Sequence, residues 1–271
     1  MPCTDEARTI LWVSAHPEPR SLTGSLRRDG IAHLRGAGLA VLESDLYGMD
    51  WDPVMRPRDA GHEAGPSSPF RATADIRLAY IEGRQPSDVQ AELAKLRRAD
   101  ALILQFPLWW YGMPSILKGW FDRVFVSGFA FGKHPGTGRR LRFEQGPFRG
   151  KRALVATTLG DRPRSIGPRG KSGELTELLF PLLHGTLAYT GMSVLSPWAQ
   201  ASADRIESYD TVRDGFLRRL DGLFTDEPIP YRPQFTGEYT SEWELEDHVV
   251  PGETGLSIHV GDAPRGEDRR P

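Results

Sequence analysis

Cysteine is nearly absent from this chain. Cys3 is the only one in 271 residues, so no disulfide can close within it, and a reducing, cytoplasmic setting is expected. No apolar run approaches the roughly 20 residues that a bilayer-spanning helix needs. The opening MPCTDEART has no apolar signal-peptide core, so membrane insertion is not expected. Lysine is scarce, at five against twenty-nine arginines, and the net charge is only −2. Such a balance gives no general pull towards nucleic acid. A GxGxxG turn is missing, which removes the support for a Rossmann dinucleotide site. The seven histidines are scattered without HExxH or paired spacing, so no metal is expected.

What is present fits a globular α/β protein, with 39% hydrophobic and 26% charged residues. Strand-like runs at Thr9–Ser14, Leu39–Ser44, Ala101–Phe106, Lys151–Thr157 and Met192–Leu195 alternate with helical patterns at Thr23–Arg35, Ala72–Glu82, Ser87–Arg98, Pro114–Val126, Glu174–Thr190 and Asp204–Phe224. This rhythm implies a parallel sheet with right-handed crossovers. Five strands suit a flavodoxin-like α/β fold of order 2-1-3-4-5 with helices on both faces. Trp51–Pro69 reads as an irregular surface excursion. Pro228, Pro230 and Pro233 punctuate the end of a domain spanning residues 1–224, leaving 225–271 as a carboxyl-terminal extension.

The most informative stretch is ALILQFPLWWYGMPSILKGWFDRVFVSGFAFG, Ala101–Gly132. A buried strand ends at Pro107, which has no N–H for the ladder. Leu108, Trp109, Trp110, Tyr111 and Gly112 follow at its carboxyl end, where open α/β sheets bind ligands. Taken alone, the patch reads equally as a wall for a flat, conjugated ligand or as a packing corner. In the loop after the first strand, His16, Ser21 and Thr23 alternate with prolines just before a helix. Hydroxyls and free N–H groups there suit an anion.

QFPLWWYGMPSILKGWFDRVF resembles the signature of the NAD(P)H:quinone oxidoreductase (DT-diaphorase) family of flavoproteins, and further matches extend over nearly the whole chain. The resemblance implies a flavin-dependent oxidoreductase that takes hydride from NADPH or NADH and passes it through flavin N5 to a quinone in a ping-pong cycle. The alternatives are an FMN-dependent azo or nitro reductase and a non-catalytic ancillary subunit of a transporter. HPEPRSL looks like the loop that holds the flavin phosphates, which implicates His16, Ser21, Leu22 and Thr23. Pro107, Leu108, Trp109, Trp110 and Tyr111 are implied at the flavin ring. Thr157, Thr158, Leu159 and Gly160 stand where the family has Thr-Thr-Gly-Gly at the polar ring edge. Of these, Trp110, Tyr111, Thr158 and Gly160 are the implied catalytic set. Arg71 aligns loosely with a contact to the adenosine half of FAD.

Phe129 and Phe131 resemble the family's Phe-Ala-Tyr lid over the substrate, without its hydroxyl. The family's following Tyr and His are missing. The segment DRPRSIGPRGKS carries Arg162, Arg164, Arg169 and Lys171 instead, and the first two are candidates for the phosphate of NADPH. Its near match to a P-loop has Ser165 in the first glycine position and starts too far from its strand. The length of the tail favours FAD, with FMN second. Lys133–Lys171 holds eleven basic residues against two acids, whereas Thr236–Asp262 holds seven acids and no Lys or Arg. The chain is therefore expected to be a homodimer in which the acidic tail lies on the partner's basic surface.

Overall fold

The computed structural model describes residues 7–61, 69–235 and 237–261. Cys3 and the residues beyond Gly261 lie outside them.

The core is a parallel sheet of β1 (Thr9–Ser14), β2 (Ala40–Asp45), β3 (Ala101–Pro107), β6 (Arg152–Thr158), β7 (Ser193–Val194) and β8 (Trp198–Gln200). The strands run in the order β2-β1-β3-β6-β7, the expected five-strand pattern once a short hairpin of β4 (Gly132–Lys133) and β5 (Arg140–Leu141) is set aside. The fifth position is split. β7 pairs with the first residues of β6 and β8 with its last, and Pro197 stands in the gap, unable to donate to the ladder.

Successive strand residues serve opposite faces. Leu11, Val13, Leu102 and Leu104 enter one core, whereas Ile10, Trp12 and Ile103 enter the other. α1 (Leu22–Gly36) and α7 (Tyr209–Asp221) cover the second face with Leu26, Leu34, Phe216 and Leu220. α2 (Ala72–Ile81), α3 (Ser87–Arg98) and α4 (Ser115–Val124) cover the first. In α4, Leu117, Trp120, Phe121 and Val124 recur at helical spacing and are buried.

Three expectations need correction. Trp51–Pro69 is not simply a surface excursion, because Trp51, Asp59 and Ala60 are buried. There the Arg123 guanidinium lies 4.6 Å from the Trp51 ring centre and pairs with Asp59 at 3.0 Å. Residues 62–68 of that segment lie outside the described part. The expected helix over 174–190 is broken into α5 (Leu175–Leu178), α6 (Phe180–Leu182), a π-turn over Leu183–Leu187 and a closing 3-10 turn. Pro181 lacks the N–H that a continuous helix would use at that point. The last helix begins at Tyr209, with Ser208 as its cap, rather than at Asp204.

The extension starts by docking on its own chain. Ile229 N–H donates to Val194 O at 2.8 Å, and within the extension Gly261 N–H donates to Pro230 O at 2.7 Å. The ring of Tyr231 sits 4.9 Å from that of His184, on the π-turn, and His184 stacks on Phe180 at 4.6 Å. Arg142 faces Trp243 and Phe235 of the extension.

Candidate functional site

Three loops at the carboxyl edge of β1, β3 and β6 meet in one place, because those strands are neighbours in register: Ser14 faces Gln105, and Pro107 faces Thr158. In the first loop His16 Nδ1 accepts from Glu18 N–H at 3.0 Å and sits 3.1 Å from Ser21 Oγ. Burial holds the imidazole below its usual pKa against the opposing influence of Glu18, so it is neutral near pH 7. With Nδ1 accepting, the proton belongs on Nε2, which is then a donor. Ser21 caps α1 by accepting from Gly24 N–H at 3.1 Å. The first N–H groups of a helix have no acceptor inside it, and with Gly24 satisfied those of Leu22 and Thr23 remain available for an anion. A Cβ on Gly24 would collide with the Pro19 carbonyl, so the loop closes this tightly only over glycine.

A buried relay joins the three loops. Trp12 Nε1 donates to Gln105 Oε1 at 3.0 Å, and Gln105 Nε2 donates to Thr23 O at 2.9 Å. Thr23 Oγ1 lies 2.8 Å from Thr158 Oγ1. Gln105 and Trp12 were not among the expected site residues. A polar side chain in a strand otherwise reading ALILFP was the available signal, since a buried amide must be paired.

Trp109 and Gly112 exchange backbone bonds of 3.1 and 3.0 Å, closing a turn whose central residues Trp110 and Tyr111 have φ of 51° and 56°. This left-handed pair belongs to a type I′ turn, which favours Asn and Gly. Two aromatic residues there cost on the order of 1 kcal/mol or more each. The strain presents their rings: Trp110 is 99% exposed and Tyr111 45%. Trp109 turns towards His16, with ring centres 6.4 Å apart.

In the third loop, Thr157 Oγ1 is spent on Phe106 O. Leu159 is only 6% exposed and points into the core, where it packs with the apolar residues of the first face. Its side chain, where the family has glycine, therefore does not project among the exposed rings. A Cβ on Gly160 would meet nothing within 4 Å. Free N–H groups at a helix start, a neutral imidazole donor, exposed aromatic faces and an open glycine together suit a planar ring with a phosphate tether.

The remaining expected residues are placed as follows. Arg71 precedes α2, where its side chain pairs with Asp75 at 3.2 Å. Phe129 is buried between Tyr80 and Phe148, at 5.7 and 5.3 Å, and is a core ring in its own chain. Phe131 lines a cavity of about 520 Å3 with Met113, Phe121, Phe125 and Tyr189. None of the loop residues above lines that cavity. Arg162 and Arg164 are exposed on the loop after β6. No group of three or more potential metal ligands occurs among the described residues.

Sheet order and helix placement together define a flavodoxin-like α/β protein, with three loops meeting at the carboxyl edge of the sheet. Residues 8–222 match a family model described as a flavodoxin-like fold. The ribosyldihydronicotinamide dehydrogenase-like protein traD of Penicillium crustosum is 37% identical over 95% of this chain and 93% of its own length. NAD(P)H dehydrogenase [quinone] 1 of Rattus norvegicus is 32% identical over 94% of each chain. A crystal structure of a putative quinone reductase from Klebsiella pneumoniae superposes with a TM-score of 0.88 at 39% identity, covering 94% of this chain and 100% of its own. The chain belongs to the NAD(P)H:quinone oxidoreductase family of flavodoxin-like proteins. Membership in it implies a flavin and a nicotinamide co-substrate.

Proposed function

We propose that this protein is a flavin-dependent NAD(P)H:quinone oxidoreductase, with FAD as its cofactor and FMN as the second choice. The observation that carries this reading is the meeting of three loops around free donors and exposed rings, with Thr23 and Thr158 bonded at its centre. A bound flavin supplies a ring that takes hydride from a nicotinamide and gives it to a quinone.

The protein's own residues do the rest. Leu22 and Thr23 N–H groups and His16 Nε2 hold the phosphate tether. Trp110 and Tyr111 offer stacking area to the ring. In the Thr158–Gly160 loop the Leu159 N–H is spent on Gln200 O and the Thr158 hydroxyl on Thr23, so the Gly160 N–H is the donor offered to the ring's polar edge, where it stabilises negative charge that develops. Arg162 and Arg164 attract the phosphate of NADPH. The length of the extension supports FAD, and Arg71 is the residue kept for its adenosine half.

Phe131 supports the homodimer. It lines a cavity separate from the cleft of its own chain, so its ring can cover a substrate only if a second copy brings it there. Phe129 would then support Phe131 from the core. The acidic extension would add its outer residues to the partner's basic surface, beyond the part docked on its own chain. Cytoplasmic location is supported by the single cysteine and by the lack, among the described residues, of any helix long and apolar enough to cross a membrane.

The test is cofactor release from native protein, followed by anaerobic addition of NADPH and then a quinone. A yellow protein that bleaches and recovers, yields FAD and gives parallel double-reciprocal lines is expected. A colourless protein that oxidises no nicotinamide would overturn the proposal.

A further inference from the structure

The loop after β6 is a compact structure. Ser165 N–H donates to Arg162 O at 2.9 Å, Ser172 N–H to Ser165 O at 2.9 Å, and Gly167 N–H to Gly173 O at 2.9 Å. Its side chains divide sharply by charge. Arg162, Arg164, Arg169 and Lys171 are exposed, and none takes an ion-pair partner among the described residues. The single acid, Asp161, faces elsewhere. Ser172 Oγ donates to Asp161 Oδ2 at 2.7 Å, and the Tyr111 hydroxyl lies 3.1 Å from both oxygens. Phenol, serine and carboxylate thus close a triangle between the two ends of the basic loop and the strained aromatic turn. A phenol has one proton to give, and with Ser172 already donating to the carboxylate, each member supports the other two.

We infer that Asp161 and Ser172 are positioning residues that clasp the basic loop to Tyr111 and so make the site prefer a phosphorylated nicotinamide dinucleotide. The inference rests on the proposed reductase activity and deepens it. Asp161 would otherwise neutralise a neighbouring arginine. Bonded to Tyr111 and Ser172, it leaves the four exposed cations without a carboxylate partner on a loop tied to the aromatic turn. NADPH differs from NADH only in its 2′-phosphate, and a fixed array of guanidinium groups recognises a phosphate dianion better than a mobile one. The clasp also explains how a left-handed Trp-Tyr pair persists, because the Tyr111 hydroxyl is the only polar side-chain atom in the turn that is anchored outside it.

The test has an arm that needs no cofactor. Trypsin can cut after Arg164, Arg169 and Lys171, and its access reports loop order. In Ser172→Ala and Asp161→Ala, cleavage there should be about fivefold faster or more than in the parent, while Ser172→Thr, which keeps the hydroxyl, cuts at the parent rate. In steady-state assays the same two variants should raise KM for NADPH by about fivefold and change KM for NADH by less than about twofold. Unchanged cleavage in both variants would overturn the clasp. Faster cleavage with an unchanged NADPH-to-NADH ratio would overturn the specificity role. If the parent protein oxidises no nicotinamide, the reductase reading fails while the protease arm still decides the clasp.

Discussion

Thr23 Oγ1 and Thr158 Oγ1 lie 2.8 Å apart although 135 residues separate them in the chain. One lies in the first turn of helix α1 and the other closes strand β6, so this bond ties the helix start to the loop after β6. Both side chains are buried, at 2% and 6% exposure. Replacing either by valine leaves the other hydroxyl short of a partner and should destabilise the fold by about 1–3 kcal/mol. Urea unfolding of Thr23→Val, Thr158→Val and the double variant checks this. The double variant should cost less than the sum of the two singles, and each single should copurify with less flavin.

Gly24 faces the Pro19 carbonyl with no room for a Cβ. Gly24→Ala should open the loop that orients His16 and Ser21, lowering the flavin-to-protein ratio about tenfold by absorbance while the far-UV circular dichroism is retained. Full flavin content would dismiss the loop as the phosphate site.

Trp110 has almost no contact with its own chain. Trp110→Ala should therefore change unfolding free energy by no more than about 0.5 kcal/mol yet weaken flavin retention on dilution, because the lost area is area offered to a ligand. Trp110→Gly also relieves the left-handed strain and should be the more stable of the two.

Arg162→Ala combined with Arg164→Ala should raise KM for NADPH by about fivefold and leave KM for NADH nearly unchanged. The difference should shrink in high salt, because both guanidinium groups are exposed. Equal effects on the two dinucleotides would remove these residues from phosphate recognition.

The His184 imidazole is pushed down to about 4, first by burial among the rings around Tyr231 and secondarily by His259. Its proton affinity is thus lower in the folded than in the unfolded state. The neutral form's contribution is complete above pH 6.5 and is lost as pH falls from there towards 4. Acidification across that window should release the extension before the sheet unfolds. Hydrogen exchange at the Ile229 and Gly261 amides should quicken accordingly. His184→Phe should reduce that dependence, with His259, also lowered by burial, providing the remainder.

Much of the fold was legible before any coordinates. The span of β1 could be read directly as TILWVS, because a short apolar run rich in β-branched and aromatic residues and bounded by polar ones favours a buried strand. α3 was equally plain from its apolar spacing. The break at residues 183–187 was not, since a π-turn depends on how His184, Phe180 and Tyr231 pack together. Tyr231 comes from the extension, more than forty residues later. The buried role of Trp51 was likewise hidden, because its partner Arg123 belongs to α4.

The candidate site divides along the same line. Composition, strand rhythm and the QFPLWWYG run determined the fold class and pointed to the loops at the carboxyl edge of the sheet. These are local properties, set by side-chain periodicity and by where proline and glycine interrupt it. Only the tertiary structure decided that Leu159 points inward, that Phe129 is a core ring, that Phe131 faces a different cavity, and that Gln105, Asp161 and Ser172 tie the loops together. Each of those outcomes depends on which residues from distant parts of the chain become neighbours, and a sequence read along one dimension carries no record of that proximity.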